Sequence, residues 1–380
     1  MKLFNVYTLF DITPVRAKGC YVWDEKGIKY LDLYGGHAVI SIGHSHPHYV
    51  SKITKQLQKI GFYSNSVINP FQEELSQKLG DISGYIDYQL FLCNSGAEAN
   101  ENAIKLASFT TGRKRIISFS KGFHGRTSGV VAITDNPKII APVNETKNAV
   151  IIPFNDIEAV ENELKTGEVA AVIIEGIQGI GGINIPDSQF LVSLEKLTKR
   201  YGSFLILDEI QSGYGRTGRF FAHQYTDVRP DIITMAKGMG NGFPIGGIII
   251  SPDIKPWAGM LGTTFGGNHL ACAAAIAVID VIREENLMQN CENRGSYLIN
   301  KIEGINSDIK VRGKGLMIGM EFTFPIRALR NKLLFTDHIF TGLSGANIVR
   351  LLPPLSLSKT EADQFLAAYM KINENMESYK

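Results

Sequence analysis

Short, continuous apolar runs recur from residue 90 to residue 250, too uniformly apolar to be strands with one wet face. They fall at 90–93, 115–119, 149–152, 170–174, 204–207, 232–235 and 246–250, and helical stretches lie between them, after Asn94 to about 108, at 157–164 and at 188–201. Strands of this kind are buried on both sides, so the pattern predicts an α/β fold with a parallel or mixed sheet covered by helices. In such sheets ligands sit beyond the carboxyl ends of the strands. Asp208 follows 204–207 directly, and Lys237 closes 232–235.

The flanks read differently. Residues 19–33 alternate apolar and polar around Asp24-Glu25-Lys26-Gly27, which predicts a hairpin packing against a later part of the chain. A Gly- and His-rich loop containing His37, His44 and His46 precedes a helix expected at about 47–60, and no Cys or carboxylate cluster closes a metal site there. A long helix is expected from 270 to 285 and onward past Met288. Beyond it come a strand pair over 309–322, a helix at 326–334, a strand at 347–351 and a last helix at 360–373, together a smaller α+β unit. The expected division is 1–45 as an N-terminal segment packing with the small domain, 46–268 as the large domain and 269–380 as the small one.

The 380 residues include 39 basic and 37 acidic side chains, a balance that gives no electrostatic reason to expect nucleic acid or an anionic membrane as partner. No apolar run reaches membrane-spanning length, and the opening residues contain no apolar signal-peptide core. Four scattered cysteines point to neither a zinc site nor a disulfide framework, so a cytoplasmic location is expected.

Two stretches carry chemistry. In Ala236-Lys237-Gly238-Met239-Gly240-Asn241-Gly242 a lysine stands among glycines. Held away from water such an amine loses its proton and becomes a nucleophile, a Schiff-base lysine; in solvent it is an ordinary turn lysine. In Asn94-Ser95-Gly96-Ala97-Glu98, Ser95 and Glu98 have capping-box spacing, and the small residues leave first-turn amides free to meet an anion.

Taken together, Asn94-Ser95-Gly96-Ala97-Glu98-Ala99-Asn100, Gly122-Phe123-His124-Gly125-Arg126, Glu175 with Ile177-Gln178-Gly179, Asp208-Glu209-Ile210-Gln211-Ser212-Gly213, Ala236-Lys237-Gly238 and Thr263-Thr264-Phe265-Gly266-Gly267-Asn268 occur in the order seen in class III aminotransferases. From about Tyr21 onward the chain resembles that family, and most of all its acetylornithine/succinylornithine branch. The resemblance implies a fold-type-I transferase using pyridoxal 5'-phosphate, and a homodimer with shared active sites. It implies that Lys237 and Asp208 are catalytic, Lys237 joined to the cofactor and moving a proton, Asp208 facing the pyridine nitrogen. Ser95, Gly96, Ala97, Phe123, Glu209 and Gln211 would hold the cofactor, with Thr264 reaching the phosphate of the neighbouring subunit. Arg126, Thr263, Arg350 and His37 would meet the substrate. The implied reaction passes the ω-amino group of N2-acetylornithine to 2-oxoglutarate, in arginine biosynthesis; N-succinylornithine, ornithine and 4-aminobutyrate are alternative donors.

The chain departs from the family at two places. Ala97 stands where threonine is frequent, which removes a hydroxyl and leaves the amide. Glu175-Gly176-Ile177-Gln178-Gly179-Ile180-Gly181-Gly182 lacks the family's proline and its second glutamate, the residue that in ornithine aminotransferase pairs with the arginine matching Arg350. Ile180 cannot form that pair, so Arg350 is expected to stay available in both halves of the reaction unless another acid, such as Glu175, replaces it. Two other readings fare worse: a nicotinamide oxidoreductase lacks its dinucleotide fingerprint, and a catalytically dead relative would not need both Lys237 and Asp208.

Overall fold

The computed structural model describes residues 1–379. Its centre is a seven-stranded sheet in the order Gln89–Cys93, Gly246–Ile250, Ile232–Met235, Phe204–Asp208, Val169–Glu175, Arg115–Phe119, Ala149–Ile152. All strands run parallel except Gly246–Ile250, which is antiparallel to both neighbours. Every residue of Val169–Glu175, Ile232–Met235 and Gly246–Ile250 is buried, which is why their sequences are apolar without alternation. Successive side chains nonetheless serve different faces. Ile173, Ile206, Ile232 and Ile248 pack in one core with Ala99, Ala103 and Leu106 of helix Gly96–Thr111. Val172, Ile174, Leu205 and Leu207 pack in another with Val160 of helix Ile157–Leu164 and Leu191 and Leu194 of helix Ser188–Tyr201.

The expected N-terminal hairpin is present, Tyr21–Asp24 pairing antiparallel with Lys29–Asp32. A further strand, Pro14–Lys18, extends it on one side, and Ile339–Phe340 joins in parallel on the other, so the N-terminal segment is stitched to the C-terminal one. The third sheet is antiparallel, in the order Lys310–Lys314, Met317–Glu321, Ile348–Leu351, Gly342–Ser344.

The single long helix expected after 270 is two helices, His269–Glu284 and Leu287–Ile305. Asn286 breaks it with a left-handed φ of 51°, a conformation asparagine tolerates better than most residues. Helix His269–Glu284 packs on helices Pro47–Leu57 and Pro70–Ser83, so a domain boundary at 269 runs through a packed helical layer. Helix Pro70–Ser83 has no counterpart among the sequence expectations. It is started by Asn69, whose side chain accepts from the Phe71 amide at 3.1 Å, with Pro70 in the first turn, and ended by left-handed Gly84.

Among the described residues no helix is long and apolar enough to cross a membrane, and no group of His, Cys, Asp and Glu could hold a metal ion. His44 and His46 are instead paired with Asp32 and Glu285, each at 2.8 Å.

Candidate active site

The carboxyl ends of four parallel strands converge on one cavity of about 390 Å³. Val169–Glu175 and Phe204–Asp208 end level with each other, Glu175 opposite Asp208. Ile232–Met235 leads into Ala236 and Lys237, and Gln89–Cys93 leads into the N-terminus of helix Gly96–Thr111. Ser95, Gly96, Ala97, Phe123, Arg126, Glu175, Ile180, Asp208, Gln211 and Lys237 all line this space. The lysine, the carboxylate, the small residues and the aromatic that the sequence scatters over 140 positions thus meet in one place.

Lys237 has a φ of 45°, rare for a residue with a side chain. Such strain costs on the order of 1 kcal/mol and persists only where the surroundings impose it. Here the next carbonyl, Gly238, accepts a 2.7 Å hydrogen bond from Ser41, fixing the turn. Burial lowers the pKa of the Lys237 ammonium; Asp208 and Glu175 oppose that shift, while Arg350 adds to it. The outcome is an amine more readily neutral than a surface lysine, which is what nucleophilic and proton-transfer roles require.

Asp208 is 4 % exposed. Its Oδ2 accepts from Asn100 Nδ2 and from His124 Nδ1, both at 2.8 Å, and its Oδ1 accepts from the Ile210 amide at 3.1 Å. Three donors hold this carboxylate at the cavity floor. The resemblance assigns Asn100 and His124 no role of their own. Neither has a sequence signal of its own, Asn100 standing among Glu98, Glu101 and Asn102; it is their burial that requires a partner.

Ser95 caps the helix as expected, its hydroxyl accepting from the Glu98 amide at 3.2 Å. Glu98 does not complete the box on Ser95. Its Oε2 takes the Asn94 amide at 2.6 Å and the Asn94 side chain at 2.9 Å. As first-turn residues, Gly96 and Ala97 have amides with no intrahelical acceptor. The wall is tight: a Cβ on Gly96 would lie 2.8 Å from Ile210 Cγ2, and one on Gly125 would lie 2.9 Å from Ala97 Cβ. Free amides at a helix N-terminus suit a phosphate, Asp208 suits a protonated ring nitrogen, and Lys237 suits an aldehyde carbon. The residues present fit pyridoxal phosphate.

Phe123 lines the cavity and donates its amide to Glu175 Oε1 at 3.0 Å, while Gly179 donates to Oε2 at 2.9 Å. Burial pushes the Glu175 pKa up to about 7; His124 and the two amides oppose this, and Asp208 adds to it. Gln211 donates to the His37 carbonyl at 3.1 Å and accepts from Arg350 Nη1 at 3.5 Å. Arg350 is 3 % exposed, donates Nε to the Leu343 carbonyl at 3.0 Å, and forms no ion pair among the described residues. His37, left-handed at φ 68°, is exposed and rests its ring on Tyr34. Burial against its neighbours lowers its pKa, with Arg350 and Lys237 adding to the effect. Arg126 is exposed at the cavity rim.

Five expected site residues do not line this cavity: His37 and Arg350, which reach it only through their contacts to Gln211, and Glu209, Thr263 and Thr264. Glu209 is a correction: it does not line the cavity but is buried behind it. Its carboxylate accepts from Ser212 Oγ at 2.6 Å, the Ala222 and His223 amides at 3.0 and 2.9 Å, and His223 Nδ1 at 2.8 Å. Strand alternation turns its side chain away from the face that Asp208 uses. Thr263 lines a second cavity of about 430 Å³, its hydroxyl accepting from Asn94 Nδ2 at 3.3 Å and the Gly266 amide at 3.1 Å. Thr264 is exposed and lines neither cavity.

The chain is 40% identical over 369 residues to the acetylornithine aminotransferase of Archaeoglobus fulgidus, covering 95% of this chain and 96% of that one. It is also 40% identical over 370 residues to the acetylornithine aminotransferase of Bacillus subtilis, 94% of each chain. Among solved structures it is similar to the Elizabethkingia anophelis acetylornithine aminotransferase, with a TM-score of 0.85, 30% identity and coverage of 98% of this chain and 96% of that one. A Toxoplasma gondii ornithine aminotransferase with PLP at partial occupancy in its active site gives a TM-score of 0.91 at 27% identity, over 98% and 92% of the two chains. The family model for aminotransferase class-III matches residues 5–372, and with that match, these relatives and a lysine and a triply held carboxylate in one cavity, the chain belongs to the class-III aminotransferases.

Proposed function

We propose that this enzyme transfers the ω-amino group of N2-acetylornithine to 2-oxoglutarate, leaving the semialdehyde and glutamate, a step of arginine biosynthesis. The observation that carries the reading is that Lys237, its pKa lowered by burial, and Asp208 line one cavity, in a chain 40% identical to proteins named acetylornithine aminotransferase. Pyridoxal phosphate, when bound, supplies the ring that accepts the electron pair released at the substrate carbon.

The chain's own residues do the rest. The Gly96 and Ala97 amides and the helix dipole would hold the phosphate, and Phe123 would supply an aromatic face for the ring. Asp208, kept in place by Asn100 and His124, would hold a proton on the ring nitrogen, as a charge-assisted hydrogen bond favours. Gln211, on the cavity wall, would meet the ring oxygen. Lys237 Nζ, its basicity lowered by burial, would take the proton from the carbon bearing the amine and deliver it two atoms away, across the nitrogen, to the carbon that came from the cofactor's aldehyde. Arg126 receives the donor's carboxylate with its planar fork. Val39, Ile177 and Ile180 on the cavity wall limit the water around Lys237. Initial rates with N2-acetylornithine, N-succinylornithine, ornithine and 4-aminobutyrate, each with 2-oxoglutarate, test the assignment. N2-acetylornithine is expected to give the highest kcat/KM; ornithine or 4-aminobutyrate exceeding it by about tenfold, 1.4 kcal/mol, would overturn it.

The reading includes a cytoplasmic homodimer. Free, buried cysteines suit a reducing compartment. Thr264 is exposed in a loop whose Phe265 packs on exposed Phe62 with ring centroids 5.4 Å apart, an apolar surface suited to a second copy. If Thr264 serves the partner's phosphate, mixing Lys237→Ala with Thr264→Ala subunits produces heterodimers with one intact site, and activity recovers in part. Verified heterodimers as inactive as their parents would place Thr264 in its own subunit's site or in none.

A further inference from the structure

Arg126 is fixed only through the chain on either side of it. Its side chain is exposed at the cavity rim and forms no hydrogen bond or ion pair among the described residues. The flanking chain is pinned by two consecutive residues of helix Gly96–Thr111, the helix whose first-turn amides line the cavity. Before Arg126, Asn100 Nδ2 donates to the His124 carbonyl at 2.7 Å. After it, Glu101 Oε1 accepts from Thr127 Oγ1 at 2.7 Å and from the amides of Gly129 and Val130 at 2.8 and 3.2 Å. Those two amides open the short helix Ser128–Ala132, whose N-cap residue Thr127 makes no capping bond of its own. Glu101 is therefore the cap, supplied from another helix, and a carboxylate suits free amides at a helix start. The fit is close, since a Cβ on Gly129 would lie 2.5 Å from Glu101 Oε2. The 96–97 amides and the 100–101 side chains are about one helical turn apart, roughly 6 Å along the axis, so the anion seat and the root of Arg126 belong to one rigid piece. An arginine without side-chain partners gives up rotamer freedom when it binds, and a mobile root would add backbone freedom to that loss.

We propose that Glu101 is a positioning residue for the donor's carboxylate: by capping 128–132 from the helix that starts at the phosphate seat, it fixes the root of Arg126 at a set distance from that seat. Glu101 does not line the cavity and acts only through Arg126. This role rests on Arg126 being the carboxylate's partner, as proposed above.

The test is a double-mutant cycle read by calorimetric binding of N-acetylnorvaline, the donor without its reacting amine, to the cofactor-loaded enzyme. Glu101→Ala is expected to weaken binding about tenfold and Arg126→Ala at least as much. The double variant should fall no more than about twofold below Arg126→Ala, since the root has nothing to position once the guanidinium is gone. Glu101→Gln, which keeps an oxygen at the acceptor position, should stay within about threefold of wild type, as should the affinity of every variant for pyridoxal phosphate. Additive losses in the double variant, full affinity in Glu101→Ala, a Glu101→Gln loss equal to that of Glu101→Ala, or a parallel loss of cofactor affinity each overturn the role of Glu101 and leave that of Arg126 standing. Arg126→Ala binding as tightly as wild type overturns the assignment of Arg126, and the role of Glu101 with it. Were wild-type enzyme not to bind N-acetylnorvaline, the donor assignment would fail, and the same cycle with glutarate, an unreactive dicarboxylate, would decide the role of Glu101.

Discussion

Lys237→Ala is expected to lower turnover by more than about 10⁴-fold, because it removes both the nucleophilic amine and the base that moves the proton. The fold should survive. Lys237 sits in a short turn that is anchored through Gly238 by Ser41 and entered from the fully buried strand Ile232–Met235, and neither tie uses its side chain. The side chain enters a cavity rather than a packed core and forms no ion pair among the described residues, so the thermal midpoint should shift by only a few degrees. The phosphate and ring contacts are untouched, so the variant should still bind pyridoxal phosphate reversibly. Substantial transamination by a preparation free of wild-type enzyme would remove Lys237 from the role given to it.

Asp208→Asn is expected to lower kcat by about 10³-fold, the scale on which removal of one preorganised charge partner acts. The reason lies in the donor count. Asp208 meets Asn100 Nδ2 and His124 Nδ1 on one oxygen and the Ile210 amide on the other. An amide in its place must turn its NH₂ either toward Asn100 and His124 or toward Ile210, and donor faces donor in both orientations. A further loss of about 1–3 kcal/mol of stability is expected from the unsatisfied pair. Cofactor affinity should fall less than turnover. Activity within a few-fold of wild type, together with an unshifted melting transition, would show that Asp208 neither faces the ring nor anchors this network.

How much of this was legible in the sequence depended on burial. The central strands announced themselves because both their faces are covered, leaving unbroken apolar runs such as Val169–Glu175. The helix break at Asn286 did not, since no glycine or proline marks it and only its left-handed backbone separates the two helices. Helix Pro70–Ser83 had its cap, its first-turn proline and its terminal glycine in plain view. It was missed for want of a strong apolar stripe, its buried residues being only Leu75, Leu79, Gly80 and Ser83. In the site, the order of motifs located Lys237, Asp208 and the 95–97 turn, and the structure brings them to one cavity. The resemblance could not say that Glu209, one residue from Asp208, would face His223 instead of the cavity. That outcome follows from strand alternation and from the amides of 222–223, which no local pattern at 209 reveals. Nor could it separate Thr263 from the main cavity, because that depends on how the 262–268 loop folds back onto Asn94.

The central claim is that Lys237 is the amine that joins the cofactor. Purified enzyme loaded with pyridoxal phosphate, reduced with borohydride and digested, can be mapped by mass spectrometry. A pyridoxyl group on the peptide containing Lys237, absent when an excess of amino donor is added before reduction, is the result predicted here. The group on any other lysine, or labelling of Lys237 that the amino donor does not prevent, would contradict it.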